Sequence, residues 1–360
     1  VTTSTSRVAP TTLDAEGHAS DPWPPWVVRL WVVAAVFAAV ALTRSYAVGI
    51  PLRDPHGAIL LSRLGISLGL FVVLSLVDAA LRVCRRGWTA RRTLDVLRTR
   101  WNRERLVLVA SALLAYHLVY FCYHNLKSSD VLRAPRDAML LGWDRWLFLG
   151  HSPAVLLHDL LGQHVAAYVL MVVYESFSWL ATVSFVAAIT LTTRVRDGYV
   201  FIASAVWVWI LGVGSYYLIP SLGPFHSAPQ DFAGLPHTMI QDTQARYVAQ
   251  RAHLLAHPAA SDSFAQISAF ASLHVAVTTV LLLMARYYGL RRTARAMTVF
   301  LGGTLLATVY LGWHFAVDDL AGLVLAFVAV GLGRLTIYPR GRTGPVEGPL
   351  RRGREAAAVR

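Results

Sequence analysis

The sequence predicts an all-α, polytopic membrane bundle of about eight transmembrane helices. Three observations predict it. Of the 360 residues, 56% are hydrophobic and only 15% are charged, whereas soluble domains are about 45–50% apolar and about a quarter charged. Apolar runs recur, each close to the roughly 20 residues that cross a bilayer. Basic residues gather in alternate connecting segments.

The first run, 27–48, follows a polar stretch containing "PWPPW" and is long enough to span, so no cleaved signal peptide is expected. The second, 58–81, carries Arg63 toward its outer end and Asp78 toward its cytoplasmic end, where Asp78 is expected to be structural. The third, 105–123, holds His117, read as a satisfied core histidine. Next comes "LGWDRWLFLG", residues 141–150, where Trp143, Trp146 and Phe148 with Asp144 and Arg145 predict an interfacial amphipathic helix. The fourth run, 165–191, carries Glu175 in mid-span, a costly place for a carboxylate. Either a partner on another span or a substrate headgroup accounts for it. The remaining runs are 199–219, 272–288, 296–312 and 314–335.

Four segments result. Residues 1–25 form a disordered cytoplasmic N-terminus. Residues 26–104 hold two additional helices and a basic loop, and 105–338 the membrane core. Residues 339–360, rich in Arg, Gly and Pro, form a disordered basic tail.

The net charge of +13 raises a nucleic-acid reading, which the placement of the charge excludes. Twenty-two arginines fall on one face, in 82–105, 194–196, 286–295 and from Arg334 onward, against eight basic residues on the other. The positive-inside rule puts the twenty-two in the cytoplasm, with both termini. Lys127 is the sole lysine, a bias of G+C-rich bacterial genes, so a bacterial plasma membrane is expected. Cys84 and Cys122 fall at opposite faces, and no metal-type spacing occurs.

The outer face then collects the chemistry in three segments: "YYLIPSLGPFH" (216–226), "FASLHVAV" (270–277) and "YLGWHFAVDDLAG" (310–322). His314 and Asp318, four apart, share one face of a helix. A carboxylate there fixes one imidazole nitrogen and leaves the other free as base or nucleophile. Asp319 is read as a helix-start residue or a partner for a loop arginine. Ser272 is a plausible N-cap, and the helix start it opens suits phosphate oxygens. His274 beside it can protonate a leaving oxygen. This set suits phosphoryl transfer without a metal.

These segments resemble the type 2 phosphatidic acid phosphatase superfamily. They are most similar to its phosphotransferase branch, the bacterial relatives of fungal inositol phosphorylceramide synthase. "ASLHVAV" resembles the second superfamily motif, "YLGWHFAVDDLAG" the third and "YLIPSLGPF" the first of the synthase-like branch; "LGWDRWLFLG" resembles an upstream segment of those proteins. The resemblance covers roughly 105–335 and implies a six-helix core. It implies that His314 attacks phosphorus or activates the acceptor hydroxyl, that Asp318 orients it, and that His274 protonates the leaving group, with no metal or cofactor. The phosphatase branch places a Ser-Arg pair before the third-motif histidine, where this chain has Ala307 and Thr308, and no Lys-x6-Arg-Pro precedes His274. That favours the transferase branch and leaves the phosphate cradle open among Arg246, Arg251, Lys127, Arg133 and Arg136, with Ser272, His226 and Glu175 as further contacts. The implied donor is a membrane lipid such as phosphatidylinositol or a polyprenyl phosphate, and the acceptor a glycan or lipid hydroxyl. The alternatives are a phosphatase of lipid phosphates or polyprenyl pyrophosphates, and a non-catalytic lipid-binding or transport protein.

Overall fold

The computed structural model describes residues 23–84 and 88–339. Apart from residues 23–25 and 339, the expected disordered tails lie outside the described residues. Among the described residues are thirteen α-helices and no strand. In chain order they are α1 (Pro25–Val48), α2 (Leu61–Cys84), α3 (Ala90–Arg100), α4 (Arg103–Asp130), α5 (Asp137–Leu147), α6 (Pro153–Leu161) and α7 (Val165–Leu191). Then follow α8 (Val195–Leu218), α9 (Pro224–Ser227), α10 (Met239–Ala256), α11 (Leu273–Tyr287), α12 (Arg291–Tyr310) and α13 (Ala316–Ile337).

Six of these, α1, α2, α4, α7, α8 and α13, are long and apolar enough to cross a membrane. The other two expected spans are helices as well. At 15 residues, α11 reaches only about 22 Å at 1.5 Å per residue, and α12 opens on Arg291 and Arg292.

Helix α8 is central and packs against α13, α4, α7 and α11. It is apolar on nearly every side and buried along most of its length, the pattern of a helix enclosed by others. Helix α1 has two faces. Val27, Leu30, Ala34, Phe37 and Ala41 are buried, largely against α4, while Val28, Val32, Val36 and Val40 remain exposed. An apolar exposed face suits hydrocarbon, not water. At the arginine-rich end, Arg29 and Arg196 donate to the last carbonyls of α13, satisfying helix-end acceptors. There Asp78 pairs with Arg82 and Arg100 at 2.8 and 2.9 Å, and Arg100 and Arg105 donate to carbonyls at the end of α7.

The sequence reading needs several corrections. The basic loop 82–105 contains α3, capped by Thr89. The loop 220–271 contains the 18-residue α10 with a Thr238–Gln241 capping box, so Arg246 and Arg251 sit on a helix. The third span runs on to Asp130, which puts Lys127 on α4 and not in an outer loop. Its polar end does not look like a span because it lines a cavity. His117 is bonded through both ring nitrogens, to Ser67 Oγ and the Leu113 carbonyl.

Candidate active site

Short backbone bonds tie the three outer segments into one floor. Ser221 Oγ and its carbonyl accept from the Phe270 and Ala269 N–H groups. Ser215 Oγ accepts from the Ala271 N–H. The Ser272 N–H donates to the Asp318 carbonyl at 3.0 Å, and the Phe225 N–H to the Gly312 carbonyl at 3.0 Å. Gly322 permits this closeness, because a Cβ there would stand 2.4 Å from the Ser272 carbonyl oxygen. Gly223, at φ 107°, backs onto the Trp313 carbonyl, which a Cβ would meet at 2.7 Å.

Helix α5 braces this floor through two carboxylates seven residues apart, hence on one face. Asp137 accepts from the Leu222 and Gly223 N–H groups, each at 2.9 Å to Oδ1. Asp144 accepts from Ala316 (2.9 Å) and Val317 (3.0 Å), the first N–H groups of α13. Burial pushes both carboxyls up from the usual range, and the N–H donors pull them back toward the charged form. The sequence reading gave α5 an interfacial role alone. A side chain that caps a helix 172 residues away leaves no local pattern to find.

His314 lies in the turn before α13, not on the helix. The four-residue spacing to Asp318 therefore does not act through a shared helix face. Asp318, in the first turn of α13, folds back: its Oδ2 accepts the Phe315 N–H at 3.0 Å and stands 3.5 Å from His314 Nδ1. That is ion-pair distance, longer than a hydrogen bond, and catalytic contacts in empty sites are commonly long. Both residues are buried, and burial pushes the His314 imidazole down to about 4. Asp319 is buried as well and accepts from Thr308 Oγ1 at 2.7 Å, and among the described residues no loop arginine pairs with it. It lies within Coulombic reach of His314.

The His274 ring, at the start of α11, has its centroid 5.9 Å from that of His314. Tyr174 stacks on it at 4.3 Å and Phe177 meets it at 4.4 Å. Both histidines face a cavity of about 460 Å³ bounded by α2, α4, α7, α8, α10 and α11. Lys127, Arg246 and Glu175 also line it, as do Arg63, His124, Tyr120 and Asp242. The structure does not bring the other candidates there. Ser272 is fully buried as the N-cap of α11. Arg133 donates to the Tyr217 carbonyl, the Arg136 N–H donates to the Pro220 carbonyl at 2.7 Å, His226 is exposed on α9 and does not line the cavity, and Arg251 lies off the cavity on α10. Sequence reasoning missed Arg63 and His124 as lining residues. Their signal was polarity at the outer ends of two spans, which reads equally as headgroup contact.

With this geometry in hand, comparison with known proteins gives one match. The family model described as the PAP2 superfamily matches residues 138–332, just over half of the chain. The chain belongs to the PAP2 superfamily, whose members are typically phosphatases or phosphotransferases. No curated protein and no solved structure matches it.

Proposed function

We propose that this protein is an integral membrane phosphotransferase. It moves a phosphorylated headgroup, such as inositol phosphate, from a lipid donor to a hydroxyl acceptor. It works at the extracytoplasmic face of a bacterial plasma membrane, with eight crossing segments and both termini cytoplasmic. One observation carries this reading: two imidazoles 5.9 Å apart, one of them 3.5 Å from a buried carboxylate, face a single cavity.

In this mechanism Asp318 holds Nδ1 of His314, and the free Nε2 attacks phosphorus. An N–P bond forms as the P–O bond to the lipid breaks. The electron pair stays on that oxygen, which takes a proton from His274. An acceptor hydroxyl then attacks the phosphohistidine and gives its proton back to His274, freeing His314. Lys127, within Coulombic reach of both imidazoles, offsets the charge that builds on the phosphoryl oxygens. Support for an acceptor larger than water comes from the rim: Asp242, Thr243, Arg246 and Gln266 extend the cavity with groups that bind hydroxyls.

The test uses 32P-labelled phosphatidylinositol with and without a glycan acceptor. Transfer to the acceptor, lost in His314→Ala and Asp318→Ala proteins that still insert, is the expected result. Full activity in His314→Ala removes the catalytic reading, and labelled inositol phosphate released to water as the sole product, with or without acceptor, replaces transfer with hydrolysis.

A further inference from the structure

A second cavity lies away from the histidines, toward the arginine-rich end of the bundle. Helices α7 and α12 touch closely in their outer halves, where a Cβ on Gly303 would stand 3.3 Å from Val173. Nearer the other end a cavity of about 170 Å³ opens between them, walled also by α8 and the last turns of α11. Its α7 wall is Ser184, Ala187 and Ala188, spaced i, i+3, i+4 on one helix face. Their small side chains leave the space, and Met284, Tyr288 and Met297 close it from the other side. The hydroxyls of Tyr288 and Thr192 are engaged by the Asp197 and Ala188 carbonyls, so the walls are mainly carbon. An apolar cavity of about 150 Å³ takes a six-carbon ring and excludes water. Hydrocarbon of that size suits this one.

Arginines flank this cavity in the sequence of every wall but one. Arg291, Arg292 and Arg295 alternate with its α12 lining residues, Arg286 falls between Ala285 and Tyr288, and Arg194 follows Thr192 by two. All five are exposed, and among the described residues none makes an ion pair or a side-chain hydrogen bond. The one carboxylate nearby in the chain, Asp197, is buried and takes the Tyr338 hydroxyl. The first turn of α12 has no acidic residue and no side-chain cap, so Arg291 and Arg292 crowd the positive end of its dipole. An anion there offsets that repulsion. Basic pockets between membrane helices take anionic lipid headgroups. A free phosphate would meet the arginines and leave the apolar cavity empty. A neutral lipid would fill the cavity and leave the arginines unmatched. A lipid with an anionic head satisfies both.

We infer that the protein holds one anionic phospholipid at its arginine-rich end, with the headgroup on Arg291, Arg292 and Arg295 and part of an acyl chain in the cavity between α7, α11 and α12. This lipid is a resident ligand and not a substrate, and the inference does not rest on the transfer reading. The test is native mass spectrometry of the full-length, delipidated protein in detergent, titrated with phosphatidylglycerol and with phosphatidylcholine of identical chains. One basic side chain near a membrane surface is worth about fivefold in affinity. Phosphatidylglycerol is therefore expected to bind at least about tenfold more tightly. Replacing the three arginines together (Arg291→Gln, Arg292→Gln, Arg295→Gln) should bring it down to the phosphatidylcholine level. Ala187→Phe, which fills the cavity, should weaken both lipids. An unchanged unfolding temperature without lipid shows that each variant folds. The unaltered protein supplies an independent readout: phosphatidylglycerol with a diazirine in its chain should label residues within 184–192 or 281–297. Equal binding of the two lipids, or a preference that survives loss of the three arginines, overturns the site. So does binding unchanged in Ala187→Phe, which would leave headgroup attraction alone. Labelling confined to the histidine cavity also overturns it, and would make phosphatidylglycerol an occupant of that cavity instead.

Discussion

Asp144 offers the sharpest test of how the site is held. Its carboxylate takes the Ala316 and Val317 N–H groups at 2.9 and 3.0 Å, and the side chain is 2% exposed. His314 lies two residues upstream, so whatever fixes the start of α13 fixes the proposed nucleophile. Asn at 144 keeps the shape but offers one acceptor oxygen, and its amide nitrogen faces the second N–H. One charge-assisted bond is lost, worth about 1.5–3 kcal/mol, along with about 0.3–1 kcal/mol of favourable charge at a helix N-terminus. Asp144→Asn therefore costs about 2–4 kcal/mol. A displacement of about 1 Å in a reacting group lowers rate about 100-fold. The expected result is kcat reduced about 10–100-fold with KM near its wild-type value, because Asp144 does not line the cavity. Asp144→Glu, which keeps both acceptors, should recover part of the rate. The control is Trp146→Ala, since Trp146 is 82% exposed on the same helix. If α5 is only an interfacial anchor, Trp146→Ala should lower activity and Asp144→Asn should not. That outcome, or wild-type kcat and thermal stability in Asp144→Asn, refutes the bracing role.

Two further outcomes follow from the same geometry. Gly322→Ala places a methyl 2.4 Å from the Ser272 carbonyl, forcing α13 away from α11; overpacking of this kind costs about 1–3 kcal/mol, and a lower unfolding temperature together with reduced turnover should appear, whereas Gly331→Ala, with open space around it, should change neither. For topology, a cysteine replacing exposed Ala259, beyond α10, should react with an impermeant maleimide in intact cells, while exposed native Cys84 should react only after permeabilisation; the reverse pattern inverts the orientation.

The helices were legible because apolar length is a local property, and eight such runs became eight helices. His274 and His314 were legible as a pair because each stands just before or at the start of a helix at the same end of the bundle. What failed was of two kinds. Where polar residues extend a helix into a cavity, hydropathy stops early, and Lys127 was left outside α4 for that reason. Where a side chain serves a distant backbone, no spacing reports it. Asp137 and Asp144 look like ordinary polar residues of an amphipathic helix until Gly223 and Val317 are placed beside them. The geometry of His314 and Asp318 shows a third case. The spacing of four correctly suggested contact, but the contact comes from an aspartate folding back over a turn.

The cations of the cavity carry the last step. In the phosphatase branch an arginine was expected next to Ser just before the third-motif histidine, and here that position is Thr308. The substitution does not leave a hole, because Thr308 is fully buried and its hydroxyl serves Asp319. A cation lost from the motif is therefore not replaced at the motif. Positive charge enters the cavity instead from Lys127 on α4, Arg246 on α10 and Arg63 on α2, two of which lie ahead of the matched family region. Asp130 near Lys127 and Glu175 near Arg246 offset part of the charge those two present to a ligand, and among the described residues none of the three cations has a carboxylate at ion-pair distance. Helix α2 thus does more than thicken the bundle: it contributes Arg63 to the lining of the cavity. On this account, exchanging α1 and α2 for an unrelated helical hairpin should leave the histidine pair in place and alter which donors the protein accepts.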